Sequence, residues 1–467
     1  MRVPPRDGFR LGLEEPPARS KALGTFAVVT VGVRLFAAEA LLPTGWAPGV
    51  AIEIAPDGTI VDVRPGASQR GADDRCGSVV PGMANLHSHA FQRALAGAVE
   101  RRSRTGDDFW SWRDAMYGLA ATLDPDALRA VALDVYRAML AAGYTSVAEF
   151  HYLHRDPAGA WYADRAVMSR ALLDAAREAG IAICLLPALY TQADAGGAPL
   201  RAQQRRFAAG PDEVLGIAAT LRHDTAADAD VVIGACAHSL RAVTPDQLRA
   251  LLDGSPPGVP MHLHAAEQIR EVEAVEAALG ARPVAWLLEH YGLGPRWCLV
   301  HATHLDDTER DALAACGAVA GLCPTTEANL GDGVFPLPGY RAAGGTFGIG
   351  SDSNVTIAPT QELRWLEYVQ RLVERRRIIA AGPGESCGEV LYAAAARGGA
   401  QACGLRAGSI APGNRADLVV LDDRRPPLAG APPEELLDRY VFADDHAAPR
   451  HVMVRGRWRI RDGVPAR

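Results

Sequence analysis

Between about residue 81 and residue 390, short apolar runs of strand character alternate eight times with stretches of helical periodicity. The strand-like runs end near His89, Phe150, Leu189, His238, Glu267, His304, Glu327 and Asn354. The stretch after Asp124-Pro125 shows the helical signal: Asp124 can cap, Pro125 suits the first helical position, and Leu128, Val131, Val135 and Met139 fall on one face before Gly143 ends it. Eight βα units with buried strands predict a closed parallel (β/α)8 barrel of the TIM type, with its active site at the C-terminal ends of the strands. An open doubly wound sheet is the alternative. It is disfavoured because no G-x-G-x-x-G opens a helix after an early strand.

The two ends have a different texture. Short β-rich runs (Phe26–Val33, Val50–Ile54, Thr59–Val63), broken by turn residues such as Pro56-Asp57-Gly58, recur in style at 416–421 and 451–457. This predicts an N-terminal extension over 1–24, a small β-sandwich built from 25–80 and 391–467, and the barrel over 81–390. A length of 467 residues suits a barrel of roughly 250 residues plus a second, smaller unit. With a formal charge of −7 and no basic block, neither nucleic acid nor an anionic membrane is an expected partner. The eight cysteines contain no C-x-x-C pair, and the charged, proline-rich N-terminus lacks the apolar core of a secretory signal, so a soluble cytoplasmic protein is expected. A homodimer is expected too.

Most of the thirteen histidines fall at the predicted strand ends. His87 and His89 stand two apart, so on a strand both imidazoles point the same way, as two ligands of one metal must. Taken alone, such a pair also reads as polar residues at a strand mouth. Yet His262-Leu263-His264-Ala265-Ala266-Glu267 closes the fifth run, His301-Ala302-Thr303-His304 the sixth and Gly350-Ser351-Asp352-Ser353 the eighth. Four strand ends carrying ligand-type residues point to one metal site.

In this order of motifs the sequence resembles the amidohydrolase superfamily, over nearly the whole chain and including the terminal segment 408–420. The resemblance implies a bound metal that activates water for hydrolysis at a carbon bonded to nitrogen or oxygen. Binuclear members commonly bridge two metals with a carboxylated lysine from the fourth barrel strand. The only lysine here is Lys21, so that subtype is excluded. What remains is one divalent metal per chain, held by His87, His89, His264 and Asp352, with Zn²⁺ the best match and Fe²⁺ or Mn²⁺ possible occupants of the same geometry. Asp352 would take a proton from water, Glu267 would protonate the substrate nitrogen and the leaving group, and His301 would hold the water and the developing tetrahedral centre. Glu267 also reads as a solvated residue at a helix start, and His304 as structural.

Three further stretches, Asn85–Ala94, Phe109–Arg113 and Cys323–Gly333, are similar to those of the formimidoylglutamate deiminases within that superfamily. The resemblance implies hydrolysis of N-formimino-L-glutamate to N-formyl-L-glutamate and ammonia, a step of histidine degradation, with substrate contacts at Gln92, Tyr152, His238 and Arg241. Arg241 is the best-placed cation for a carboxylate, since a guanidinium grips one through two parallel hydrogen bonds. Arg113, in the Trp-rich segment, is counted with these contacts, although the aromatics around it read as core. Tyr152 and His238 also have packing readings. The alternatives are an aromatic-ring deaminase or chlorohydrolase of the same superfamily, and a barrel that has lost catalysis.

Overall fold

The computed structural model describes residues 31–102 and 106–466. Four strands open the chain: β1 (Val33–Leu42), β2 (Gly45–Ile54), β3 (Ile60–Arg64) and β4 (Asp74–Pro81). The barrel staves follow as β5 (Met83–Ser88), β6 (Tyr144–His151), β7 (Ala182–Leu189), β8 (Val231–Ile233) continued after one residue by β9 (Ala235–Ser239), β10 (Met261–Ala265), β11 (Trp297–His301), β12 (Val319–Leu322) and β13 (Thr346–Ile349). The chain ends with β14 (Leu418–Val420), β15 (His451–Val454), β16 (Arg457–Arg461) and β17 (Val464–Pro465). Of the expected run Phe26–Val33, the part up to Thr30 lies outside the described residues, and the strand begins at Val33.

From β5 to β13 the staves pair in parallel, in the order of the sequence. The last meets the first through a parallel bridge of Ser88 with Asp352, where Asp352 N donates to His87 O and His89 N to Asp352 O, each at 2.9 Å. A buried amide and hydroxyl lattice locks this seam. Asn85 Nδ2 donates to Ser351 Oγ (2.6 Å), Ser351 Oγ to Asn354 Oδ1 (2.7 Å), and Asn354 Nδ2 to Ser88 Oγ (3.2 Å). The staves are buried on both faces and hence apolar nearly throughout.

Helices cover the outside. The first two are α1 (Phe109–Ala120) and α2 (Pro125–Ala142). In α2, Asp124 accepts from Ala127 N and Gly143 closes the end at φ 102°, as the cap and stop residues predict. The helix Cys387–Ala402 runs across residues 390 and 391. Its Gly398 and Gly399 let it lie against β13 and β5, since a Cβ on Gly398 would come within 1.9 Å of the Phe347 carbonyl oxygen.

The terminal strands form one eight-stranded sheet, ordered β17-β16-β15-β14-β4-β1-β2-β3. It is antiparallel except for the β1–β4 pair. The sheet curls on itself, for Ile60 N donates to Asn414 O and a single core joins Val50, Ile52 and Ile54 to Leu418, Val420 and Met453. All eight cysteines are free, and seven are buried. Among the described residues, no helix is long and apolar enough to cross a membrane.

Candidate metal centre and active-site cavity

His87, near the end of β5, His89 just beyond it and His264 on β10 turn their Nε2 atoms to one point. The three atoms form a triangle with edges of 3.1, 3.2 and 3.3 Å. Two nitrogens each bound 2.0–2.1 Å from a tetrahedral ion stand about 3.3–3.4 Å apart, so the triangle has the size of one coordination face. Asp352 Oδ1 supplies a fourth donor, 3.4 Å from both His87 Nε2 and His89 Nε2. Burial holds the imidazoles neutral, with His87 pushed down to about 3 and His89 and His264 moved the same way. Burial opposes the charge on Asp352 too, but the histidines around it outweigh this and hold its carboxyl below the usual range.

The rear nitrogens set the tautomers. His89 Nδ1 donates to Phe150 O and His264 Nδ1 to His238 O, both at 2.8 Å, which leaves each Nε2 lone pair free for a ligand. His87 Nδ1 is buried without a partner among the described residues. Three neutral imidazoles and one carboxylate suit a borderline divalent ion such as Zn²⁺. His262, two residues before His264 on the same side of β10, is no part of this set; its Nε2 lies 2.8 Å from the Ala402 carbonyl.

A second group of titratable residues adjoins the first. His301 Nδ1 lies 3.3 Å from Glu327 Oε1, and its Nε2 lies 3.6 Å from Glu267 Oε1 and 3.9 Å from Asp352 Oδ2. Burial disfavours the imidazolium, but Glu267, Glu327 and Asp352 outweigh it and raise His301 to about 10. Burial pushes Glu267 up to about 7, against the pull of His301 and Arg241. A divalent ion at the histidine triangle opposes the imidazolium charge. The backbone aims these groups through left-handed residues at the strand ends: Ala266 (φ 52°), His301 (φ 67°), Ala302 (φ 49°) and Asp352 (φ 45°). Non-glycine residues rarely adopt this conformation, and where it is held it collects at functional sites.

The groups face one cavity. Every residue expected at the site borders it except His87, which lies beneath: His89, Gln92, Arg113, Tyr152, His238, Arg241, His264, Glu267, His301 and Asp352. Gln92 Nε2 donates to Tyr152 Oη at 2.8 Å. Arg241 Nη2 sits 3.4 Å from Glu267 Oε2, and Arg241 Nε 3.9 Å from the buried Glu271.

Several expectations change in detail. The fifth and sixth strands stop at Ala265 and His301, short of Glu267 and His304, and the eighth stops at Ile349. Glu327 does not end a strand: β12 stops at Leu322, and Glu327 lies in the helix Pro324–Leu330, which opens with a proline at its first position. From there Glu327 holds the rear nitrogen of His301, a role that strand spacing could not reveal. The aromatics of the Trp-rich segment pack as read, with Phe109 buried and Trp112 against the core, and both also line the cavity. His304 is structural, with its Nε2 2.8 Å from the Asp332 carbonyl. Sequence reading missed Asp332, whose carboxyl burial raises well above its usual range beside Glu267 and His301. It also missed Tyr117 and Tyr190, whose rings look like core from sequence.

The profile of the amidohydrolase family matches residues 78–459, and that of the N-terminal domain of formimidoylglutamate deiminase HutF matches residues 34–77. The chain is 50% identical over 430 residues to a formimidoylglutamate deiminase of Pseudomonas aeruginosa, covering 92% of this chain and 95% of the relative. It superposes on the crystal structure of an amidohydrolase from Brucella melitensis with a TM-score of 0.88 at 45% identity, over 93% of this chain and 96% of that one. An adenosine deaminase from Xanthomonas campestris, solved with bound zinc, shares the fold at a TM-score of 0.75 and 20% identity, over 93% and 94% of the two chains. A barrel with a histidine triangle at its mouth, a sheet gathered from both termini and these likenesses along almost the full length agree: the chain belongs to the amidohydrolase family, beside the formimidoylglutamate deiminases.

Proposed function

We propose that this protein hydrolyses N-formimino-L-glutamate to N-formyl-L-glutamate and ammonia, and that it holds one divalent metal ion, Zn²⁺ first, on His87, His89, His264 and Asp352. The observation that carries the substrate is the pair Arg113 and Arg241 in a cavity that also holds Glu267, His301 and the histidine triangle. A dicarboxylate gives Arg113, which pairs with no described carboxylate, an anion and leaves a second for Arg241 beside Glu267 and Glu271, whereas a neutral heterocycle leaves Arg113 without one. The relative at 50% identity bears the name of this activity.

Bound at the triangle, a divalent ion supplies Lewis acidity that lowers the pKa of a water to roughly 7. Asp352, ionised among the histidines, receives the proton as the water oxygen joins the formimino carbon. Glu267, raised to about 7, donates to the imine nitrogen, the proton taken by Asp352 passes to the departing amine, and Glu267 recovers a proton from the carbon-bound hydroxyl as that becomes the C=O. His301, backed by Glu327, donates from Nε2 toward the oxygen that becomes the formyl group. Water and one formimino C–N bond are consumed, and one C=O and one ammonia are formed. Gln92, Tyr152 and His238 line the cavity beside Arg241 and orient the substrate.

A cytoplasmic homodimer belongs to the same proposal. The eight free cysteines support a reducing compartment. Trp365, Tyr368 and Leu372, exposed along the helix Pro359–Glu374, support a second copy as neighbour, which the mass in solution tests. The activity is tested by ammonia release from N-formimino-L-glutamate beside adenosine, guanine and a triazine. Turnover of the formimino substrate alone is expected, and brisk release from a ring compound instead would transfer the assignment to the ring deaminases.

A further inference from the structure

Gln204 is 1% exposed in the turn Ala202–Phe207 and makes three hydrogen bonds. Its Oε1 accepts from Arg201 N at 3.0 Å, which fixes the orientation of the amide. Its Nε2 therefore faces Tyr190 Oη at 2.9 Å and Tyr117 Oη at 3.2 Å, and donates to both. A phenol oxygen that accepts in this way still has one hydrogen to give. Among the described residues neither hydroxyl donates to a protein acceptor. Both tyrosines border the active-site cavity.

Arg113 lies in the same quarter. It stacks over Trp110 at 4.4 Å and sits 5.5 Å from the Tyr117 ring, yet it has no ion pair or hydrogen bond with a described residue, and its Nε is buried without a partner. Arg241, by contrast, already stands beside Glu267 at the reacting end. Two hydroxyl protons and one unpaired guanidinium thus meet on one wall with no anion to receive them.

We infer that Tyr117, Tyr190 and Arg113 form a carboxylate-binding wall whose hydroxyl protons are turned into the cavity by Gln204. On the proposed function, on which this inference rests, the wall receives the side-chain carboxylate of the substrate. That group stands four bonds from the nitrogen attached to the formimino carbon, and the α-carboxylate stands two, so the nearer one falls to Arg241. Tyr117 and Tyr190 are then specificity-determining residues, and Gln204 is a positioning residue that acts through them.

The test compares N-formimino-L-glutamate with N-formimino-2-aminobutyrate, which keeps the α-carboxylate and lacks the other, on wild type, Tyr117→Phe, Tyr190→Phe and Gln204→Glu, each checked for metal content. Each Phe variant should raise KM for the dicarboxylate about tenfold, keep kcat within about threefold and leave the monocarboxylate unchanged. Gln204→Glu, which draws both hydroxyl protons back to itself, should raise the same KM at least as much. Equal losses on the two substrates, or losses in kcat alone, would overturn the inference. If wild type fails to turn over either compound, the proposed function fails by itself, and the wall is decided by calorimetry with glutarate and butyrate: glutarate should bind wild type about tenfold more tightly than it binds Tyr190→Phe, and an unchanged glutarate affinity sinks the wall.

Discussion

The two ends of the cavity are built on different principles. The metal end is made of strand termini: His87, His89, His264 and Asp352 sit on or just beyond β5, β10 and β13, and carbonyls of neighbouring strands hold two of the rings. The carboxylate end is made of side chains from α1, from the residue after β7 and from the turn Ala202–Phe207, joined by the amide of one glutamine. The metal end is held by backbone carbonyls and serves bond breaking. The carboxylate end presents donors without acceptors and serves choice of substrate. Damage at the first should abolish turnover, and damage at the second should change which molecule is turned over.

The largest effect belongs to His89→Ala. It removes one corner of the nitrogen triangle, so purified protein should lose its divalent metal, measured by elemental analysis, and turnover should fall to background. The wild-type chain should carry about one ion; two tightly held ions per site would refute the single-metal reading.

Glu267→Gln should keep the metal and lose roughly 10²–10⁴-fold in kcat, the usual contribution of a positioned acid or base. Turnover within a few-fold of wild type would hand the proton transfer to another residue, with Asp332 the nearest candidate. Arg241→Met is next. Removing one partner of a buried charged pair costs about 2–5 kcal/mol, which should appear in kcat/KM for formiminoglutamate. Because Arg241 also touches Glu267, part of that loss should fall in kcat, unlike the pure KM effect expected at Tyr190.

The smallest effect concerns the support beneath the metal end. Glu149, buried at the end of β6, accepts from Ala90 N at 2.7 Å, just past His89. Burial raises its carboxyl to about 8, against the hydrogen bond from Ala90. A carboxyl raised on folding favours the folded state fully below its unfolded pKa of about 4.3, and that contribution is lost as pH climbs through 8. Urea midpoints should therefore fall between pH 5 and pH 9 in wild type and fall less in Glu149→Gln. An equal fall in both would place the effect elsewhere.

The same contrast explains what could be read in advance. The metal end was legible because a strand repeats every two residues, so His87 and His89 must share a side, and because barrel strands deliver their ends to one mouth. The carboxylate end was legible only where a charge betrayed it, at Arg113 and Arg241. Tyr117 and Tyr190 sit in apolar surroundings and look like core, and Gln204 stands 87 residues from Tyr117 in sequence. Their meeting depends on how α1 is laid across the barrel mouth, which local periodicity does not encode. Strand spacing misplaces Glu327 at a strand end, although Pro324, three residues before it, is a helix-start residue. The terminal sheet was anticipated from both ends, but β4 (Asp74–Pro81), which joins its two halves, was not, because its charged and glycine-containing start lacks the alternation of a surface strand.

The central claim is that both ends of the cavity act on one molecule, with Glu267 directing which bond breaks. The formimino carbon has two C–N bonds, and the products of complete turnover of N-formimino-L-glutamate by the metal-loaded enzyme distinguish them. The account predicts ammonia and N-formyl-L-glutamate in equal amounts. Formamide and glutamate would contradict it, because the proton would then have gone to the nitrogen that carries the glutamate.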